Sequence, residues 1–151
     1  MFYIKEYDEK YKDKINEFII SIFVEEFEFY ECKEELMKED AASYIKDGGN
    51  FWFAVDEQDR VIGTVCIDKI DNKVAWLKRM YVNPEYRGTG LGQQLYNKAL
   101  DFVKDNCFNR LELGTYERLR AAIKFYIKNG FEEIERIEEN AEAKFFALNL
   151  I

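Results

Sequence analysis

The sequence predicts a mixed α/β (α+β) fold, one sheet covered by helices, in the order β-α-α-β-β-β-α-β-α-β-β. Three observations carry this. Short β-rich runs alternate with segments whose apolar residues recur at helical spacing. Some strands are joined by tight turns and others by whole helices, so hairpins and crossovers must share a sheet. The chain of 151 residues has a single proline, Pro84, and no Gly/Ser linker, repeat or low-complexity run, so one domain over 1–151 is expected.

Residues 2–7, FYIKEY, read as a first strand. From Asp8 onward Tyr11, Ile15, Phe18 and Ile22 recur every three or four residues, the spacing of one helix face. A second helix is expected over 32–45 and ends at the turn residues 47–49. Strands over 51–56 and 61–70 flank a tight turn, and Asp71-Asn72 starts another. In the strand over 73–82, strict alternation puts Lys78 on the face of Trp76, Met80 and Val82. A one-residue bulge near Lys78 and Arg79 restores a clean face of Ala75, Leu77, Met80 and Val82; the alternative is that Lys78 snorkels at a strand end. The third helix presents Leu91, Leu95, Ala99 and Phe102. A strand over 110–115, a helix over 117–129 closed by Gly130, and strands over 131–137 and 143–150 complete the chain.

Composition narrows the chemistry. A formal net charge of −8 offers nothing to neutralise a row of phosphates, so no nucleic-acid partner is expected. No apolar segment approaches the ~18–20 residues of a membrane span, and the N-terminus lacks an apolar signal core, so a cytoplasmic protein without membrane contact is expected. Cys32, Cys66 and Cys107 lie far apart and form no metal or disulfide pattern. Histidine is absent, which removes Ser-His-Asp triads, Cys-His pairs and histidine-ligated zinc. Acid–base work falls to Tyr, Cys, Lys, carboxylates or water.

Gly88, Gly90 and Gly92 alternate between the strand ending at Val82 and the third helix. The spacing is wrong for the G-x-G-x-x-G dinucleotide fingerprint. Gly92 is followed by Gln93-Gln94, so it is no P-loop either. What remains is a loop able to turn several N–H groups toward one point beside a helix N-terminus, with Arg87 at its mouth, a layout suited to a pyrophosphate. A tight ligand-free connection is the alternative.

Two motifs taken together resemble the GNAT superfamily of N-acetyltransferases. MYVNPEY leads into Arg87, Gly90 and Gly92 as in the family's coenzyme A loop, and AIKFYIKNGF, Ala122 to Phe131, matches its last-helix motif. The resemblance is sharp over 77–131, and the order of elements agrees along the whole chain. It implies a mostly antiparallel sheet whose fourth strand bulges and splays from the fifth. It implies acetyl-CoA as the acetyl donor, with Met80, Tyr81 and Val82 along the pantetheine arm and Arg87, Gly88, Thr89, Gly90, Leu91 and Gly92 around the pyrophosphate. It places Tyr126 as the group that assists thiolate departure while a primary amine, on a small molecule or a peptide, attacks the thioester directly. Glu25, Glu26, Glu28 and Glu31 fall where the family builds its acceptor site, so carboxylates there would suit a cationic amine and supply a base. Leu119 stands where the family often has Asn. A non-catalytic acyl-CoA sensor or interaction module is the alternative function, and the edge of the last strand could pair two subunits into a homodimer. No metal is expected.

Overall fold

The computed structural model describes residues 1–26 and 40–150. The strands are β1 (Phe2–Glu6), β2 (Asn50–Asp56), β3 (Val61–Lys69), β4 (Val74–Val82), β5 (Arg110–Tyr116), β6 (Glu132–Ile134) and β7 (Ala143–Asn149). The described helices are α1 (Lys12–Glu26), α2 (Ala41–Lys46), α3 (Leu91–Asp105) and α4 (Arg120–Lys128). The strands form a seven-stranded sheet in the order β1-β2-β3-β4-β5-β7-β6, antiparallel throughout except for β4 beside β5. None of the described helices is long and apolar enough to cross a membrane.

Both faces of the sheet are covered, which is why β2 is a continuous apolar run. Its alternate residues divide between two cores. Trp52 and Ala54 join Leu91, Leu95, Tyr96, Ala99 and Val103 of α3, with Tyr126 of α4. Phe51, Phe53 and Val55 join Ile15, Phe18, Ile19 and Ile22 of α1, with Tyr44 of α2. A short 3-10 turn, Glu9–Tyr11, precedes α1, and Asp8 caps it by accepting from the Lys10 amide. The Tyr11 hydroxyl donates to Asp59 Oδ1 at 2.6 Å, which pins the start of α1 to the β2–β3 turn.

The bulge expected near Lys78 and Arg79 is present. Thr64 faces Tyr81 and Cys66 faces Lys78, so Val65 alone opposes both Arg79 and Met80. Arg79 takes φ 53°, and its carbonyl accepts from the buried Thr64 hydroxyl at 2.7 Å. The extra residue flips the parity. Ala75, Leu77, Met80 and Val82 therefore all pack toward α3, while Tyr81 packs toward α1.

Three expectations change, and a fourth is tested only in part. The last helix starts at Arg120 rather than 117, because β5 stays paired with β7 as far as Tyr116 opposite Ala143, and the Glu117 amide bonds to the Glu142 carbonyl. β6 stops at Ile134, short of 137. Arg136 instead reaches Glu112 at 3.2 Å and lies over the Trp76 and Phe145 rings. The last strand is not an edge, since β7 sits between β5 and β6 and the three-residue β6 takes the outer position. Of the second helix, Ala41–Lys46 with its Asp40 cap is described, and the part expected over 32–39 lies outside the described residues.

Candidate active site

The site begins where two parallel strands part. β4 and β5 pair only at Val74–Arg110, Ala75–Leu111 and Trp76–Glu112. Beyond Trp76 the β5-facing edge of Leu77–Val82 has no strand partner among the described residues. A peptide edge left open inside a sheet offers donors and acceptors to an extended ligand. Met80 and Val82 turn their side chains toward α3, so along this edge they present backbone rather than side chain.

At the end of β4 the chain makes a 3-10 turn, Pro84–Tyr86. Asn83 caps it by accepting from the Glu85 amide at 2.9 Å, and Pro84 fits the first turn position. Arg87, Gly88, Thr89 and Gly90 follow, all exposed. Gly88 and Gly90 have φ 78° and 90°, which only glycine adopts at little cost. A Cβ on either would project into open space. Gly90 is also the N-cap of α3 and supplies no side-chain cap. The Leu91 amide reaches back to Thr89 Oγ1 at 3.4 Å, and Gln94 is the first helix amide bonded to the Gly90 carbonyl. The amides of Gly92 and Gln93 are the orphan donors of the helix start. Leu91 itself is fully buried, so its side chain anchors the helix in the core rather than lining the loop.

Gly92 is the most telling glycine. A Cβ there would meet Val82 Cγ2 at 3.6 Å and Met80 Cε at 3.9 Å, ordinary contacts. Packing does not require glycine at this helical position, and glycine costs up to ~1 kcal/mol relative to alanine in a helix interior. A ligand approaching the backbone does require it. The open cradle at Gly88 and Gly90, the uncapped helix start and Arg87 at the mouth together fit a pyrophosphate.

Tyr126 comes from α4 and is buried against Phe125 and Phe131. Its hydroxyl has no hydrogen-bond partner among the described residues. Burial pushes its proton affinity up, and the nearby Tyr81 and Tyr96 hydroxyls push it further. Tyr81, on β4 just after the bulge, is likewise raised by burial, with Arg79 acting against that shift. Leu119 is the N-cap of α4 and makes no side-chain cap bond.

Glu25 is exposed in the last turn of α1, Glu26 ends that helix, and Glu28 and Glu31 lie outside the described residues. Sequence reasoning missed the bond from Gln93 of α3 to Asn129 at the end of α4 (Nε2 to Oδ1, 2.9 Å), which joins the glycine-loop helix to the tyrosine helix. No spacing rule marks a pair 36 residues apart. It also missed Tyr96, which shares the buried face of α3 and was hidden among the apolar residues.

A sheet with this strand order, opened between β4 and β5 and closed by a glycine-rich helix start, is the GNAT-type acetyltransferase fold. The chain belongs to the acetyltransferase (GNAT) family, whose pattern matches residues 16–131. A GNAT-family acetyltransferase from Staphylococcus aureus superposes with a TM-score of 0.89 over 100% of both chains at 29% identity. A PaiA N-acetyltransferase from Thermoplasma acidophilum, solved in complex with coenzyme A, shares the fold with a TM-score of 0.80 over 99% of both chains at 20% identity. In sequence, the chain is 35% identical over 99 residues to N-acetylaspartate synthetase of Xenopus tropicalis; the match covers 64% of this chain and 36% of that relative's length.

Proposed function

We propose that this chain is a single-domain N-acetyltransferase that moves an acetyl group from acetyl-CoA to a primary amine. The observation that carries the proposal is the opening of β4 from β5 after Trp76, with the glycine loop at its end and the Tyr126 helix packed in the same core. The coenzyme A bound by the Thermoplasma relative supports the choice of donor. The open edge at Met80–Val82 would hold the pantetheine amides, and Arg87 to Gly92 would hold the pyrophosphate.

In the transfer, a bond forms between the amine nitrogen and the thioester carbonyl carbon. The carbon–sulfur bond breaks, and the proton lost by the amine balances the charge on the sulfur. A phenol of ordinary pKa ~10 is already ~1.5 units too weak to protonate a thiolate of pKa ~8.5 fully. Burial weakens Tyr126 as an acid still further. Its contribution is therefore a hydrogen bond that strengthens as charge gathers on sulfur, in a buried place where such a bond counts for more than in water. A lysine-like amine costs about 4.6 kcal/mol to deprotonate at pH 7. With no histidine, the acids Glu25, Glu26 and Glu28, or water, are the candidates for that proton.

Release of free thiol from acetyl-CoA across an amine panel, run beside calorimetry of coenzyme A binding, tests the proposal. Binding without turnover of any amine would leave the chain an acyl-CoA sensor, a reading favoured by Leu119 standing where the family often has Asn. Absence of coenzyme A binding would sink both.

A further inference from the structure

The two faces of the sheet serve different partners. α3 and the glycine loop close one face over the donor gap, so an acceptor reaches the gap between β4 and β5 from the other. Trp76 marks the foot of that gap, because it is the last residue of β4 paired with β5. Its neighbours Ala75 and Leu77 point into the α3 core, so the indole points to the acceptor face. On β7, Phe146 and Leu148 likewise turn toward α3, and Phe145 turns the other way. Among the described residues, Trp76 and Phe145 belong to neither core. Their rings meet edge-on at 6.3 Å. Gly114 of β5 lies under this contact. A Cβ there would meet Phe145 Cε1 at 3.1 Å and Trp76 Cζ3 at 3.6 Å, so glycine is what lets the rings close over the strand.

A cation already sits on this pair. The Arg136 guanidinium is 5.2 Å from the centre of the Trp76 ring and 5.5 Å from that of Phe145, both within cation–π range. Its Nη2 donates to Glu112 Oε1 at 3.2 Å. Glu112 has a second cation, since Arg110 Nε donates to its Oε2 at 2.7 Å. The two rings and the Glu112 carboxylate therefore form a cation seat that the chain itself fills. Its occupant is weakly tied. The Arg136 side chain is 45% exposed, and it comes from an exposed stretch, 135–138, in neither helix nor strand. Ion pairs at that exposure contribute little to stability. When Arg136 swings out, Glu112 keeps Arg110, so the nearly buried carboxylate is not left bare.

We propose that this seat receives a second cationic group of the acceptor, and that Arg136 is its resident stand-in, displaced when a diamine binds. This rests on the acetyl-transfer reading above. Exchanging one cation for another leaves the charge around Glu112 unchanged, so the site opens without stranding a buried charge. The reach is suitable. A strand rises about 3.3 Å per residue, so the bulge at Arg79, midway along the open edge, is about 10 Å from Trp76. A flexible diamine with one ammonium over Trp76 can set its other nitrogen against a thioester lying along that edge. Lys78, the next residue on the acceptor face, does not compete. Its ammonium is 3.0 Å from Asp68 of β3 and lies over the Tyr44 ring, on the side away from β5. A monoamine gains nothing from the seat.

Turnover of 1,5-diaminopentane against 1-pentylamine and 5-amino-1-pentanol reads the seat, at pH 8 where an unreacting ammonium of pKa ~10.4 stays charged. The diamine is expected to show roughly 10-fold higher kcat/KM, the scale of a cation–π contact with a charged hydrogen bond. Arg136→Gln empties the seat and is expected to lower KM for the diamine about 3- to 10-fold relative to 1-pentylamine. Phe145→Leu keeps an apolar side chain at a half-buried position and is expected to shrink the diamine preference. A wild type that treats the three amines alike, an Arg136→Gln variant whose relative KM for the diamine is unchanged or raised, or a preference untouched by Phe145→Leu overturns the proposal and leaves the transferase reading standing. Calorimetry of 1,5-diaminopentane and 1-pentylamine onto the coenzyme A complex decides the matter without turnover. Tighter binding of the diamine, tightened again by Arg136→Gln, supports the seat even in an inert chain. Equal binding of the two amines, or no gain from Arg136→Gln, rejects it.

Discussion

The Gln93 side-chain amide donates to Asn129 Oδ1 at 2.9 Å, and through this bond the helix that opens at the glycine loop holds the end of the helix that carries Tyr126. Asn129 Nδ2 also donates to the Phe125 carbonyl at 2.8 Å, so it ties off the last turn of α4 as well. Asn129→Ala should therefore cost more stability than Gln93→Ala. A double-mutant cycle in denaturant should give a coupling of about 0.5–1.5 kcal/mol. If the bond aligns the two halves of the site, Gln93→Ala should also raise KM for acetyl-CoA and lower kcat together. A stability loss with unchanged kinetics would make it a structural tie only.

Gly92 separates what the fold needs from what a ligand needs. Alanine fits the protein at this position, with its nearest contacts at 3.6 and 3.9 Å. Gly92→Ala should stabilise the chain by a few tenths to about 1 kcal/mol through helix propensity and a less free unfolded state. The same methyl group should obstruct approach to the Gly92 amide and weaken coenzyme A by roughly 10-fold, on the scale of a lost charged hydrogen bond. Thermal unfolding and calorimetry on the one variant read both effects. Gly90→Val should remove binding, because its φ of 90° admits no branched side chain without distortion. Unchanged affinity in both variants would separate the loop from the cofactor.

Patterning in the chain carried much of this architecture. The bulge was legible because Lys78 broke the alternation that Ala75, Leu77, Met80 and Val82 otherwise keep, and the structure places one extra residue there. Period 2 and period 3.6 record which face is buried, so the two cores could be anticipated from the strand and helix runs. Periodicity does not record which strand lies beside which. β7 was accordingly expected at an edge, although the chain passes β6 outside it. The helical pattern ran unbroken from residue 117, but the ladder with β7 holds the chain extended as far as Tyr116, and a turn closed by the Leu119 amide on the Tyr116 carbonyl intervenes before α4, so tertiary pairing wins over local propensity. The loop glycines were readable as a motif.

Tyr126→Phe should lower kcat by roughly 10²–10³-fold, the cost of one donor to a developing anion, with coenzyme A binding retained. The pH dependence has a definite sign. Burial raises the Tyr126 phenol above its ordinary value near 10, so the proton-bearing form persists through pH 10. The rate should rise with pH as the acceptor amine loses its proton, and no alkaline decline from Tyr126 should appear below about pH 10. Stopped thiol-release assays from pH 6 to 10 would show it. A decline centred near pH 8 would assign the essential acid to another group.

Tyr96 holds a buried hydroxyl that has no hydrogen-bond partner among the described residues, against the rings of Phe125 and Phe131. A buried donor left unpaired costs about 1–3 kcal/mol. Tyr96→Phe keeps the ring and removes the cost, so it should stabilise the chain by about 1 kcal/mol, a rise in Tm of about 2–4 °C for a domain of this size. Burial also pushes the Tyr96 phenol up to about 12. A group raised in the folded state contributes stability that is complete below its unfolded value near 10 and is lost as pH climbs toward 12. Wild type should thus unfold more readily in that alkaline window, and Tyr96→Phe should flatten its share of the loss. Urea titrations at pH 8, 10 and 11 measure both effects. A destabilised variant at pH 8 would mean that the hydroxyl is bonded, through a buried water, to the core around Tyr126.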